Sequence, residues 1–234
     1  MAQLSERFRV SEVTIRKDLS YLEQQKKLYR THGSAILISP YISDRHVNEK
    51  EKKNVVEKQA IGAAAAALIA QNDSIIIASG TTMAFLAREI KPEGRLTVIT
   101  AAVPVTQILS QDPDIDVIQL GGITRTSSVS VVGPFAEQML RNFNCSKLFI
   151  GVDGVDPEFG LTTTNMLEAS LNRAMIEAAQ KVVVLADSSK FGRRGFSKIC
   201  DLESVDRIIT DSNIQPLYLE RLRERGIEVT VVDL

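Results

Sequence analysis

Four short stretches carry side chains suited to holding a small charged molecule. Ser79-Gly80-Thr81-Thr82 places small and hydroxyl residues where an apolar run gives way to a helical pattern. Free N–H groups at such a helix start attract anions, and the hydroxyls add donors. Gly121-Gly122-Ile123-Thr124-Arg125 offers a permissive loop and then a guanidinium able to clamp a phosphate with two parallel bonds. Asp153-Gly154-Val155-Asp156 supplies carboxylates for sugar hydroxyls, and Asp187-Ser188-Ser189-Lys190 supplies a second cation. Each stretch alone equally fits a plain turn, with Thr as a helix cap or Gly-Gly as a bend. Together they fit one pocket for a small, polar, phosphorylated ligand. The residues expected to line it are Ser79, Gly80, Thr81, Thr82, Gly121, Gly122, Arg125, Asp153, Gly154 and Lys190.

A different chemistry is written near the start of the chain. Ser11 is a good helix cap, and Ile15, Leu19 and Leu22 recur at i, i+4 and i+7, one buried stripe. The first turns of that helix then present Ser11, Thr14, Arg16 and Lys17, groups suited to phosphates and base edges. Leu4 to Phe8 is a short amphipathic piece joined to it by Arg9-Val10, so the pair reads as a helix-turn-helix whose second helix enters the major groove. Two short extended arms around Gly33 would form a wing that brings Arg30 and His32 to the DNA backbone.

The elements that position the first set come in alternation. Apolar runs at 74–78, 96–100, 116–120, 147–152, 181–186, 207–210 and 228–232 read as strands, with helical patterns at 57–70, 81–89, 103–110, 134–142, 165–180 and 216–225 between or beside them. Such repeated β-α units imply an α/β fold with a mostly parallel sheet covered on both faces. Ligands then bind past the carboxyl ends of the strands, where the four stretches fall.

Composition sets outer limits. The chain has 234 residues, 44% of them hydrophobic, enough for a real core in one or two domains. Its 28 basic and 29 acidic side chains give a net charge of -1. That average conceals a +3 excess over residues 1–34 against a balance of -4 in the rest. Aromatics are 5% and Trp is absent, which argues against a stacking platform for single-stranded nucleic acid. Cys145 and Cys200 show no metal or disulfide spacing, and two histidines are few for a metal site, so neither metal nor cofactor is expected. No membrane span or leader is read, and a reduced, cytoplasmic protein is expected.

The ordered motifs resemble a known family. Val10-Ser11-Glu12-Val13-Thr14-Ile15-Arg16-Lys17-Asp18-Leu19, then Arg30-Thr31-His32-Gly33-Ser34-Ala35, look like the winged helix-turn-helix of the DeoR family of bacterial sugar-metabolism regulators. Glu57-Lys58, Ser79 to Thr82, Gly121 to Arg125, Gly151 to Gly154 and Ala186 to Gly192 are similar to that family's sensor domain. The resemblance implies a fold related to ribose-5-phosphate isomerases and CoA transferases, a phosphorylated-sugar effector, a double-stranded DNA operator and a homo-oligomer, dimer or tetramer. It departs at Ala78, where many members carry an acid, and at Ala101, where they carry Asn. Against the family pattern the first supporting helix is missing, as a misassigned start, a truncation or a natural variant would leave it. The expected organisation is a winged helix-turn-helix at 1–38, a charged linker at 39–56 and a sensor domain at 57–234.

Three readings of function are weighed: a repressor of a carbohydrate operon, a sensor that has lost DNA binding, and a sugar-phosphate isomerase. The stretch from Asp153 to Ala174 is similar to an isomerase segment ending in Leu-x-Arg-Glu-Lys, which places Ala174 where that enzyme has its proton-abstracting Glu and Met175 where it has Lys. A methyl group cannot abstract a proton. On a helix, Glu168 and Glu177 point about 120° and 60° away from Ala174. No nucleophilic Glu for CoA transfer stands out. Incubation with ribose 5-phosphate is therefore expected to give isomerisation at the blank rate, and turnover well above it would overturn the sensor reading.

Overall fold

Neighbouring parallel strands need a crossover connection, usually a helix laid on one face of the sheet. The computed structural model meets that requirement seven strands wide; it describes residues 2–24, 28–31, 34–37 and 46–234. The chain divides into two units, Met1–Ser43 and Asp44–Leu234.

In the first unit, helix α1 (Ala2–Phe8) and helix α2 (Glu12–Gln24) are joined through Arg9, whose φ of 55° makes the sharp turn. Ser11 caps α2, its hydroxyl accepting the Thr14 N–H at 3.2 Å. Ile15 is buried, Leu19 and Leu22 are half-buried, and Thr14, Arg16 and Lys17 are exposed, so the stripe and the polar face fall where the spacing put them. Phe8 and Val13 also stay largely exposed. Strands β1 (Leu28–Thr31) and β2 (Ser34–Leu37) pair antiparallel, with Arg30 opposite Ala35. His32 and Gly33 lie outside the described residues.

The second unit begins with two helices, α3 (Val47–Glu51) and α4 (Val55–Ala66). Strand β3 (Ser74–Ile77), helix α5 (Thr81–Glu89), strand β4 (Leu96–Thr100), helix α6 (Val103–Leu109) and strand β5 (Ile115–Gln119) follow. A hairpin of β6 (Ile123–Arg125) and β7 (Ser130–Val132) leads into helix α7 (Pro134–Leu140) and strand β8 (Lys147–Gly151). Then come β9 (Gly154–Asp156), β10 (Gly160–Thr163), helix α8 (Met166–Glu177), β11 (Val182–Leu185), β12 (Ser197–Cys200), β13 (Arg207–Asp211), helix α9 (Pro216–Glu224) and β14 (Glu228–Val232). The main sheet is parallel throughout, in the order β14-β13-β11-β8-β3-β4-β5. A small antiparallel sheet, β12-β10-β9, stands beside it. These short strands and the β6–β7 hairpin are additions that the apolar runs did not announce.

Because successive strand residues point to opposite faces, the near-continuous apolar runs build two cores at once. Ile75, Ile77, Val98 and Phe149 face α4, α5 and α6, packing with Ile61, Leu86 and Val105. Ile76, Ile99, Leu148 and Ile150 face the other way, with Ala136, Leu140, Ala169, Met175 and Leu222 of α7, α8 and α9. The helices change face where the chain changes direction across the sheet, as right-handed crossovers demand. The sequence gives the alanine-rich α4 its closeness to α5: a Cβ on Gly62 would sit 2.8 Å from the Leu86 backbone nitrogen.

The second half of the expected linker belongs to this unit. Glu51 pairs with Arg88, Lys50 with Asp153, and Asn54 donates to Asp187, so the dense charge at 47–56 fastens chain to body rather than solvating a tether. Residues 38–45, where the boundary was also placed, lie outside the described residues.

Gly62→Ala would favour an isolated helix by about 1 kcal/mol. Here the added methyl meets backbone, and overpacking of this kind costs about 1–3 kcal/mol. Urea unfolding of the variant is expected to show a net loss, and a gain would mean that α4 and α5 part easily.

Candidate functional site

The strand order reverses between β3 and β8: from β3 the chain moves out through β4 and β5, and from β8 it moves the opposite way. A reversal of this kind opens a crevice at the carboxyl ends of the two strands, because their following helices lie on opposite faces. Ser79 to Thr82 follow β3 and Asp153 follows β8, so both stretches flank this crevice.

Gly80 occupies the cap position of α5 with φ +133°, a conformation that side chains disfavour, and has no side-chain bond to the helix. A Cβ there would meet nothing within 4 Å. The first amides of α5 thus have no side-chain cap from Gly80, and they lie at the positive end of the helix dipole. The buried side chains of Ser79, Thr81 and Thr82 surround this turn.

Arg125, at the end of β6, donates to Glu168 Oε2 at 2.6 Å and to Ser128 Oγ at 3.3 Å. Ser79 Oγ lies 3.4 Å from Glu168 Oε1. The structure therefore brings Ser79 and Arg125 together through Glu168, a carboxylate whose helical phase excludes it only from the proton-abstracting position of Ala174. That phase was measured from Ala174, about 9 Å further along α8 at 1.5 Å per residue. Ala174 and Glu177 line a separate cleft of about 390 Å³ with Leu140, Phe143 and Arg173. The signal for Glu168 was present as Asn165-x-x-Glu168, a helix-start pattern: the Asn165 side chain accepts the Leu167 and Glu168 N–H groups.

Asp153 accepts from Lys50 Nζ at 2.9 Å and from Thr163 Oγ1 at 3.2 Å. Burial works to raise its pKa, but the charges of Lys50 and Lys190 and these hydrogen bonds outweigh it, holding the carboxyl below its ordinary range. Lys190 thereby shares this cluster with Asp153. Lys58, only 4% exposed, donates to the carbonyls of Lys50 and Lys53. Burial lowers its pKa to about 8, with Asp187 opposing the shift and Lys190 adding to it. Asn54 Nδ2 reaches Asp187 at 2.9 Å and Ser189 at 3.3 Å. Lys50, Asn54 and Lys58 were missed because their stretch reads as a charged linker running into a helix start, although Glu57-Lys58 is among the family-like motifs.

The glycines divide. Gly122 has a packing reason of its own, since a Cβ would lie 2.7 Å from the Val132 carbonyl oxygen across the hairpin. Gly121 is exposed, its N–H directed at the Met139 sulfur. Gly154 is pressed against the Arg193 carbonyl and the Thr162 hydroxyl, so it serves the small sheet. Ala78 and Ala101, where the family pattern differs, are both buried in one core.

In the first unit, Ser11 is engaged as a cap and also lies 2.9 Å from the Thr14 hydroxyl. Among the described residues Arg16 makes an exposed 3.7 Å pair with Glu12, an interaction of little worth. Among the described residues no helix is long and apolar enough to cross a membrane.

A two-helix start with an exposed basic face, followed by an α/β body with an anion-suited crevice, defines a class of ligand-responsive DNA-binding regulators. A model of the DeoR C-terminal sensor domain matches residues 53–212, and a DeoR-like helix-turn-helix model matches residues 1–41. The chain belongs to the DeoR family of transcriptional regulators. It is 40% identical over 234 residues to the HTH-type transcriptional regulator YulB of Bacillus subtilis, covering all of this chain and 90% of that one. It is 38% identical over 232 residues to a putative aga operon transcriptional repressor of Escherichia coli O157:H7, covering 98% and 86%. A lactose phosphotransferase system repressor of Staphylococcus epidermidis is 33% identical over 214 residues, covering 90% and 84%. Among solved structures, ribose 5-phosphate isomerase A from Neisseria gonorrhoeae aligns with a TM-score of 0.40 at 17% identity, over 58% of this chain and 53% of the isomerase.

Lys58 ties the site to stability. With a folded pKa of about 8 against an ordinary 10.5, the unfolded chain binds more protons between these values, so stability rises with pH across that window. The contribution is about 3 kcal/mol at 1.36 kcal/mol per unit. Lys58→Met should remove that rise, read as a gap in unfolding free energy between pH 7.5 and 10.5 that wild type shows and the variant lacks. Parallel pH profiles would place Lys58 in a wetter setting.

Proposed function

We propose that this protein is a repressor of a carbohydrate-utilisation operon, released or engaged by a phosphorylated sugar bound at the β3–β8 crevice. The observation that carries the reading is the uncapped start of α5, ringed by Ser79, Thr81 and Thr82 and faced by open space at Gly80. Arg125, bonded through Glu168 to Ser79, supplies the guanidinium for the phosphate. Asp153, Lys50 and Lys190 supply acceptors and donors for the sugar hydroxyls. The names of the aga operon and lactose phosphotransferase system relatives support a sugar-linked regulon.

DNA binding falls to Ser11, Thr14, Arg16 and Lys17 of α2, with Arg30 and His32 of the wing on the backbone. One recognition helix per chain reads one half-site, so a homo-oligomer binds paired half-sites. The effector shifts repression only through a difference in its affinity for two domain arrangements. Couplings of this kind are about 1–3 kcal/mol. The protein binds its ligand without turnover and works in the cytoplasm.

A thermal-shift panel of sugar phosphates beside the same sugars without phosphate tests the reading. One phosphorylated member is expected to stabilise the wild type, by about 2.7 kcal/mol at a hundred times its Kd. Arg125→Ala should lose that stabilisation while its unliganded melting stays cooperative. Equal stabilisation of the variant, or a response to the unphosphorylated sugar alone, would remove the phosphate site from this crevice.

A further inference from the structure

Glu168 places a negative charge where the crevice is equipped to receive one. Its two carboxylate oxygens take the Arg125 guanidinium at 2.6 Å and the Ser79 hydroxyl at 3.4 Å, two groups that an entering phosphate would need. The side chains of Arg125 and Glu168 are 11% and 16% exposed, so the pair is enclosed yet still reachable. We propose that Glu168 is a resident anion: it holds the ligand's phosphate position in the unliganded protein and must swing away for the ligand to bind. The proposal rests on reading the crevice as a phosphate site.

The alternative is an ion pair that only fastens the β6–β7 hairpin to α8. Two features favour the resident anion. First, the start of α8 does not need the Glu168 side chain, because Asn165 already accepts the Leu167 and Glu168 N–H groups. Second, Glu168 is the third residue of α8, the position from which a carboxylate reaches back to the N–H of the cap residue, here Asn165. The displaced side chain thus has another donor within its own helical turn, and its charge stays at the favourable end of the helix dipole.

This arrangement determines which ligands succeed. A tethered carboxylate competes at high effective concentration. A neutral sugar offers Arg125 nothing in exchange, and a sugar acid offers only another single charge. A phosphate monoester, close to doubly charged and with three acceptor oxygens, displaces it. Glu168 is then the residue that makes the site respond to phosphorylated sugars and ignore sugar acids.

Titration calorimetry of the full chain with inorganic phosphate and with gluconate tests this. Glu168→Gln keeps the shape and removes the charge, so its phosphate Kd should fall about tenfold or more, and gluconate should bind it detectably. Adding Arg125→Ala to Glu168→Gln should erase both gains. If wild type binds phosphate and Glu168→Gln binds it equally or less well, Glu168 is a fastening residue and the proposal fails while the phosphate site stands. If neither protein binds phosphate and Arg125→Ala changes nothing, the site reading fails and takes the proposal with it. Should the Gln variant not fold, NMR of the wild type decides. Phosphate should move the Arg125 Nε–H and Asn165 amide signals with one midpoint, and an Asn165 amide that stays fixed would overturn the swing.

Discussion

The reversal of strand order between β3 and β8, two neighbouring parallel strands, is the constraint on which the rest of the molecule depends. Parallel crossovers are overwhelmingly right-handed, so moving outward in opposite directions accounts for α5 and α6 lying on one face and α8 and α9 on the other. The two strands at the reversal are therefore the pair whose following segments diverge. The same rule that buries both faces of a parallel sheet thus leaves one polar opening at its carboxyl edge. Ser79 and Asp153 stand there because of topology, before any selection for what they bind.

Around that opening the charges are arranged in two groups of different character. Glu168, Arg125 and Ser79 form a compact set in which one carboxylate satisfies donors from two other elements. Lys50, Lys58, Lys190, Asp153 and Asp187 form a looser set with more cations than anions. Burial disfavours the charge on Lys58; Asp187 and Glu57 oppose that effect, and Lys190 and Lys50 add to it.

The sheet and its helices were legible because buried parallel strands are long apolar runs and their helices carry period-3.6 faces. The places of Ser79 to Thr82, Arg125 and Asp153 at strand ends were legible because the apolar runs before them mark where the strands stop. What escaped is what rests on short or local pairing. The strands β6, β7, β9 and β10 have only three or four residues each, too few for a period to show. Glu168 escaped because its phase was referred to Ala174, while its role is fixed by the hairpin opposite. Lys50 and Lys58 escaped because charge on a helix is ordinarily solvated, and only the fold reveals that Lys58 is inside. Gly122 and Gly154 were chosen for a ligand, whereas the backbone pressed against them accounts for both.

One consequence follows from how α3 is held. Among the described residues its polar fastenings are Val47 N–H to the Ser127 carbonyl, Lys50 to Asp153, Glu51 to Arg88, and the Lys58 ammonium on the carbonyls of Lys50 and Lys53 at and just after its end. A helix sunk in an apolar core moves only at the expense of cavities and strained packing, whereas hydrogen bonds and ion pairs can pass to a new partner that offers equivalent donors or acceptors. The chain arriving from the first unit is thus moored to the body by exchangeable lines, and one of them is tied to Asp153 at the mouth of the crevice.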